Sequence, residues 1–287
     1  MTNQLLLSIE AKHIIELALA EDRVWDDVTG CALVPAGLTG QTVLQAKATG
    51  VVAGLAVFHD TFLLVDPNLS VNLKIGDGDA VKPGDIAAVV VGNMRNILAA
   101  ERVALNFVCH LSGVATLTAR YVDAVKGNNA VITDTRKTMP GLRCLEKEAV
   151  KAGGGINHRF NLADGAMIKD NHLAVLRSRG TSLGEVVRQA KESLPPSIMM
   201  QVEVTNLAEA EEAVAAGADM LLLDNLTPDE VREIVLRFGR LTTLEASGGI
   251  TLENVSRYAK AGVTRISIGA LTHSARALDF SLEMTPC

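Results

Sequence analysis

From Ala130 onward, short apolar runs alternate with helical patterns, and this rhythm limits the fold more than any other feature of the chain. The runs are Ala130–Thr133, Ala166–Ile168, Met199–Val204, Met220–Leu223, Thr243–Ala246 and Arg265–Ile268. A strand that is apolar along its whole length is buried on both faces, as in a parallel sheet covered by helices. Between the runs stand helix start signals. Ser182 with Glu185, Asn206 with Glu209 and Thr227 with Glu230 each fit a capping box, and Pro228 occupies the favoured first helical position. Gly217 and Gly262 stand where helices stop. In the later stretch one strand–helix repeat takes some 20 to 23 residues, which suits a compact (β/α) barrel.

The preceding part, residues 1 to about 111, has a different rhythm. Ile9–Ala20 has helical spacing of apolar residues, among them Ile14, Leu17 and Ala18. Strand-like runs follow at Thr42–Ala48, Val51–Ala56, Val71–Ile75 and Ile86–Val91, separated by the turn-forming segments Gly76–Asp79 and Lys82–Asp85. This reads as a small α+β domain. The stretch Leu98–Val125 is apolar with helical period, and Ser112-Gly113 predicts a break into two helices.

Composition narrows the class. Of 287 residues, 48% are hydrophobic and 21% charged, so a packed core is expected and disorder is not. No apolar run reaches the ~20 residues that span a bilayer, and the segment Met1–Glu10 lacks the features of a secretory signal. Cys31, Cys109, Cys144 and Cys287 are scattered without a CxxC pair, which points to reduced thiols in a cytoplasmic protein rather than a disulfide framework or zinc site. The net charge of −6 argues against nucleic acid as a partner. It leaves room for anionic substrates if cations are concentrated locally.

Such a concentration exists at the strand ends, where α/β barrels place their active sites. The runs finish in Asp134-Thr135-Arg136-Lys137, Lys169-Asp170-Asn171-His172, Glu203, Asp224-Asn225, Ser247-Gly248-Gly249 and Gly269-Ala270. Arg136, Lys137, His158, Arg159 and Lys169 lie in or beside this ring. Cations crowded at one mouth repel one another and need a dense anion to offset the cost. Arginine suits bidentate grip on carboxylate, and lysine suits phosphate. Glu203 and Asp224 are suited to Mg²⁺ or to sugar hydroxyls. The turns at Ser247–Gly249 and at Gly269-Ala270 are suited to a phosphate on backbone N–H groups. The triplet Gly153-Gly154-Gly155 has neither Rossmann nor P-loop spacing, and is read as a tight turn that presents His158 and Arg159. These residues leave three readings open: a transferase acting on a polyanionic substrate pair, an isomerase of a phosphorylated sugar with Glu203 and Asp224 as acid and base, and a non-catalytic binder of a phosphorylated or dicarboxylate ligand.

The order of motifs decides among them. Asp134-Thr135-Arg136-Lys137-Thr138, Pro140-Gly141, Glu146-Lys147, Gly153–Gly155 through Asn157-His158-Arg159, and Lys169-Asp170-Asn171-His172 resemble the quinolinate phosphoribosyltransferase family, also called nicotinate-nucleotide pyrophosphorylase (carboxylating). The likeness continues through Val202-Glu203-Val204, Leu223-Asp224-Asn225, Glu245–Ile250 and Ser267–His273. It includes Asp26–Thr29 and Glu101–Asn106 in the first part. Met139 and Glu148 depart from the family pattern at positions that are not ligands. A related phosphoribosyltransferase-like protein with another aromatic acceptor shares several motifs but typically lacks the Asn-His-Arg and Lys-Asp-Asn-His pair.

The resemblance implies an N-terminal open-faced α/β sandwich over residues 1–111, with 275–287 packing back on it, and a C-terminal incomplete (β/α) barrel over 112–274. It implies transfer of phosphoribose from phosphoribosyl pyrophosphate to quinolinate, with Mg²⁺, giving nicotinate mononucleotide, pyrophosphate and CO₂ in NAD biosynthesis. It also implies a homodimer, open to further assembly, in which Arg102 reaches the partner subunit's site. On this resemblance Arg136, Arg159 and Arg102 clamp the two carboxylates, with Thr135, Lys137 and His158 in support. Lys169 serves a carboxylate or the 5-phosphate, and Lys137, Lys169, Glu203 and Asp224 stand closest to the chemistry. Glu203 and Asp224 hold the ribose and Mg²⁺, while Ser247, Gly248, Gly249, Ile268, Gly269 and Ala270 cradle the phosphate.

Overall fold

The computed structural model describes residues 7–177 and 180–285, so Cys287 and most of the N-terminal segment read above lie outside the described residues. In chain order the elements are α1 (Ile9–Glu21), α2 (Val28–Leu33), β1 (Thr39–Ala46), β2 (Gly50–Val51), α3 (Leu55–Val65), β3 (Ser70–Leu73), β4 (Ala80–Val81), β5 (Ile86–Asn93), α4 (Met94–Val125), β6 (Val131–Thr133), α5 (Arg143–Ala152) and β7 (Ala166–Ile168). They continue with α6 (Asp170–Arg177), α7 (Leu183–Ser193), β8 (Met200–Val204), α8 (Leu207–Ala215), β9 (Met220–Asp224), α9 (Pro228–Phe238), β10 (Thr243–Ser247), α10 (Val255–Ala261), β11 (Arg265–Ser267), α11 (Ala270–His273) and β12 (Phe280–Thr285). The chain forms two compact units: Met1–Ala119 with Thr138–Gly154 and Leu271–Cys287, and Arg120–Lys137 with Gly155–Ala270. The helix α5 falls in the first unit, as does β12.

The first unit is built on a four-stranded antiparallel sheet in the order β12-β1-β5-β3. Alternate residues of β1 and β5 point to one side, so Leu44, Ala46, Ala88 and Val90 are buried there. They form a core with Phe58 and Phe62 of α3 and Ile97, Ala104 and Val108 of α4. The two phenylalanine rings meet edge to face, 5.0 Å apart. This is the sandwich architecture. β12, near the C-terminus, pairs with β1 from Gln41↔Thr285 to Ala46↔Phe280.

Three expectations are corrected here. α4 is one continuous helix of 32 residues. Gly113 does not break it. A Cβ at Gly113 would lie 2.3 Å from the Arg276 carbonyl oxygen, so glycine lets another backbone approach the helix. Ser112 uses its hydroxyl on Ala53 N and O. Met94–Val125 is also long and apolar enough, by length and composition, to cross a bilayer, which a search for uninterrupted runs overlooks. Its most apolar window is 61% buried inside the protein, as in a core helix. Val51–Ala56 is not one strand: β2 ends at Val51 and α3 begins at Leu55. In α1 the buried stripe is Ala11, Ile15 and Leu19, while Leu17 is exposed.

The second unit carries a six-stranded sheet, every pair parallel, in the order β6-β11-β10-β9-β8-β7. Consecutive strands from β7 to β11 are neighbours, joined through helices. β6 follows β11, and β6 and β7 form the two edges, so the ring is open between them: an incomplete (β/α) barrel. At the β6 edge Ile156 makes a parallel bridge to Thr133. Helix starts follow the local signals. Ser182 and Thr227 make full capping boxes with Glu185 and Glu230. Asn206 makes only half of one, because the Glu209 carboxylate turns instead to Thr205 N and Oγ1. Gly217 and Gly262 adopt the left-handed conformation, φ 92° and 100°.

Candidate active site

Each parallel strand delivers its last residues to one end of the second unit's sheet. Register pairs Asp224 with Ser247, and Glu203 with Leu222. Residues two apart on a strand share a face, so Gln201 and Glu203 point the same way on β8, and Glu245 and Ser247 on β10. Lys169, just past β7, places its Nζ 3.5 Å from Glu203 Oε2. The Asp224 Oδ2 accepts from Asn225 Nδ2 at 2.7 Å.

The turn after β9 is locked to the turn after β10. Asn225 has φ 56°, an unusual conformation for a residue other than glycine, and its backbone N–H donates to Ser247 O at 2.9 Å. Gly248 (φ 87°) lies so close that a Cβ there would be 2.2 Å from Asn225 Oδ1. Ser247-Gly248-Gly249 is therefore a fitted turn. On the other side of β10, Ile268 N–H donates to Thr133 O at 3.0 Å, and Gly269 leads into α11.

The cationic segments are held by local acceptors. Asp134 is fully buried just after β6, and its Oδ1 accepts the His158 backbone N–H at 2.8 Å. The Thr135 hydroxyl accepts from Lys137 N at 3.0 Å. The Lys137 side chain is exposed and that of Arg136 half-buried. Arg159 donates from Nη1 to Gly165 O at 2.6 Å. Burial, and after it the neighbouring Arg136 guanidinium, hold Arg159 below the ordinary guanidinium range. A partly desolvated guanidinium next to another one is a site prepared for an anion.

His158 and Arg159 reach further than the strand ends. They line a cavity of about 270 Å³ that also takes in Phe160, Gln201 and the first residues of β7, β9 and β11, namely Ala166, Met220 and Arg265. Thus Lys169, Glu203, Asp224 and Ser247 stand at the strand ends, while His158 and Arg159 join that level to the strand starts. Arg102 is exposed on α4, in the first unit.

The glycine triplet divides its work. Gly154 has φ 84°, the turn expected of it. Gly153 serves packing, since a Cβ there would lie 2.4 Å from the Ala115 carbonyl oxygen. Two interior residues were not anticipated as part of the site. Gln201 and Glu245 are 4% and 0% exposed and lie against His158. Their signal is a polar residue in the middle of an apolar strand, on the face shared with Glu203 and Ser247.

Comparison with known proteins bears on this geometry. Residues 27–112 match the model of the quinolinate phosphoribosyl transferase N-terminal domain, and 114–283 that of its C-terminal domain. The chain is 42% identical over 283 residues to the nicotinate-nucleotide pyrophosphorylase [carboxylating] of Mycobacterium leprae, covering 96% of this chain and 97% of that protein. It is 43% identical over 246 residues to the probable nicotinate-nucleotide pyrophosphorylase [carboxylating] of Bacillus subtilis, covering 84% and 82%. The crystal structure of NadC from Streptococcus pyogenes superposes with a TM-score of 0.91 at 39% identity, covering 98% of this chain and 99% of that one.

Proposed function

The chain belongs to the quinolinate phosphoribosyl transferase family, and on that premise we propose that it transfers phosphoribose to quinolinate with loss of CO₂, forming nicotinate mononucleotide and pyrophosphate for NAD biosynthesis. The observation that carries the reading is Arg159, partly buried and beside Arg136, at the base of a ring that also presents Lys169, Glu203 and Asp224. Quinolinate has carboxylates on adjacent ring carbons, and paired guanidinium groups match them. Arg136 and Arg159 grip the two carboxylates, with Thr135, Lys137 and His158 in support. Arg102, exposed on α4, reaches the site of a partner subunit in a homodimer. Lys169 meets a carboxylate or the 5-phosphate. Glu203 and Asp224 accept bonds from the ribose hydroxyls. The turns Ser247–Gly249 and Ile268–Ala270 cradle the 5-phosphate.

No nucleophilic side chain is needed. The pyridine nitrogen attacks the anomeric carbon as pyrophosphate departs. The carboxylate beside that nitrogen then leaves as CO₂. The electron pair stays on that ring carbon, stabilised by the adjacent positively charged nitrogen, and takes up a proton from solvent. The protein contributes orientation and electrostatic stabilisation. Among the described residues no cluster of three or more His, Cys, Asp or Glu side chains would cage a metal. Two carboxylates, Glu203 and Asp224, fit Mg²⁺ of the kind that one or two carboxylates hold together with substrate phosphates. When bound, Mg²⁺ neutralises charge on the pyrophosphate. The thiols Cys31, Cys109 and Cys144 are free, which accords with a cytoplasmic setting.

Purified protein given quinolinate, phosphoribosyl pyrophosphate and Mg²⁺ releases CO₂ and nicotinate mononucleotide in equal amounts. Nicotinate does not replace quinolinate, and chelation by EDTA stops turnover. Absence of CO₂ release under these conditions refutes the activity.

A further inference from the structure

We propose that Glu245, acting through Gln201, is a positioning residue that fixes the tautomer of His158 and thereby the start of the Arg159 side chain. Its role in substrate binding rests on the function proposed above.

The bonds form a chain with one consistent set of protons. The Arg159 backbone N–H donates to His158 Nδ1 at 2.8 Å. That nitrogen is therefore an acceptor, and the ring proton sits on Nε2. Nε2 stands 3.1 Å from Gln201 Oε1 and 3.4 Å from Glu245 Oε1. The Gln201 Nε2 in turn donates to Glu245 Oε2 at 3.2 Å. The chain runs from the Arg159 peptide through imidazole and amide to a carboxylate, which can only accept.

Glu245 is an expensive residue at this place. Its side chain is fully buried, and its Oε1 makes no hydrogen bond although it faces the imidazole. A buried carboxylate with so few donors is costly. An amide in its place would be cheaper to bury but would upset the order of donors. If the amide introduced by Glu245→Gln put its NH₂ at the Oε1 position, that group would face the imidazole Nε2–H. If it put it at the Oε2 position, it would meet the Gln201 NH₂, and turning Gln201 to relieve this would bring the Gln201 NH₂ to the imidazole instead. Moving the ring proton to Nδ1 relieves that conflict but creates another, because Nδ1–H then meets the Arg159 N–H. The Arg159 peptide loses its acceptor on the imidazole. Its guanidinium, which bonds Gly165 O, starts from a peptide no longer fixed on that side.

Glu245→Gln preserves shape and tests the donor count. In protein with ¹⁵N-labelled histidine, six ring systems are present, and His158 is assigned by its loss in His158→Asn. The unmodified protein shows His158 as the Nε2–H tautomer, and Glu245→Gln shifts it to Nδ1–H. With that shift, KM for quinolinate rises about tenfold, the scale of one lost buried hydrogen bond, while KM for phosphoribosyl pyrophosphate stays as it was. The double exchange Gln201→Glu with Glu245→Gln restores an acceptor-only group to the chain, and with it both the tautomer and the quinolinate KM. An Nδ1–H tautomer in the unmodified protein overturns the proposal, and this measurement needs no variant to fold. So does a tautomer unchanged by Glu245→Gln, a quinolinate KM that ignores the tautomer, or a loss that falls equally on both substrates and is not restored by the exchange. Failure of the unmodified protein to turn over quinolinate sinks the activity instead, and the tautomer measurements distinguish the two failures.

Discussion

The two sheets of this chain use their buried faces differently. In the antiparallel sheet the inward residues of β1 and β5 are mainly Leu44, Ala46, Ala88 and Val90, met by Phe58, Phe62 and Ile97. Thr42 is the polar exception on that side of β1. In the parallel sheet the strands are apolar toward their helices, as at Val202, Leu221, Leu223 and Ala246, yet they carry Gln201, Glu203, Asp224, Glu245 and Ser267 at alternate positions. Polar groups inside a protein cost free energy unless each finds partners. A sheet that only had to be stable would not hold them. The contrast gives stability to one sheet and, on the function proposed above, chemistry to the other, and it can be broken by substitution.

The largest expected effect falls in the second unit. Arg159→Ala lowers kcat/KM for quinolinate about thirtyfold or more, since removing one partner of a partly desolvated charge pair costs about 2–5 kcal/mol. Its Tm stays near that of the parent. A large fall in Tm with little loss of activity would reverse the assignment. Next comes the first sheet. Leu44→Ala removes a fully buried side chain, and denaturant unfolding should show a loss of about 3 kcal/mol with KM values unchanged. Gly248→Ala stands between the two kinds. It places a methyl group 2.2 Å from Asn225 Oδ1 at φ 87°, and calorimetry should register about 1–3 kcal/mol, together with a raised KM for phosphoribosyl pyrophosphate. Thr227→Ala, whose hydroxyl serves the start of α9 rather than the ring of site residues, costs about 1 kcal/mol through its lost cap and changes kinetics less than Gly248→Ala does. Bonds from Thr227 hold the Glu230 carboxyl below its ordinary range. A depressed carboxyl contributes stability above its unfolded pKa and loses it as pH falls through the folded value. The gap between parent and Thr227→Ala should therefore narrow in acid, which urea titrations at neutral and acidic pH will measure.

The same contrast explains what could be read from the sequence. All six parallel strands stand within a residue or so of the apolar runs that announce them, because a strand buried on both faces is rich in apolar residues even where a polar one, such as Gln201 or Glu245, interrupts it. The first unit is harder to read. α3 (Leu-Ala-Val-Phe-His-Asp-Thr-Phe-Leu-Leu-Val) has strand-like composition, and its first N–H groups, at Gly54 and Leu55, are bonded by the carboxylate of Asp77, more than twenty residues away. No local start signal exists to be seen. The same holds for Gly113, whose reason is the distant backbone at Arg276. In the candidate site, residues at strand ends were legible because polar groups there interrupt an apolar pattern. Gln201 and Glu245 sit inside the pattern, and their meaning depends on a loop residue, His158, that only the folded chain brings to them.

The pairing of β12 with β1 has a consequence for synthesis. Ribosomes make proteins from the N-terminus, so β1 emerges before all six strands of the parallel sheet, and its neighbour Phe280–Thr285 only after them. Until then one flank of the first sheet offers unsatisfied N–H and C=O groups to any passing strand. The domain that starts first is finished last, and the parallel sheet, whose strands all lie between the two, can be completed while the older one is still open.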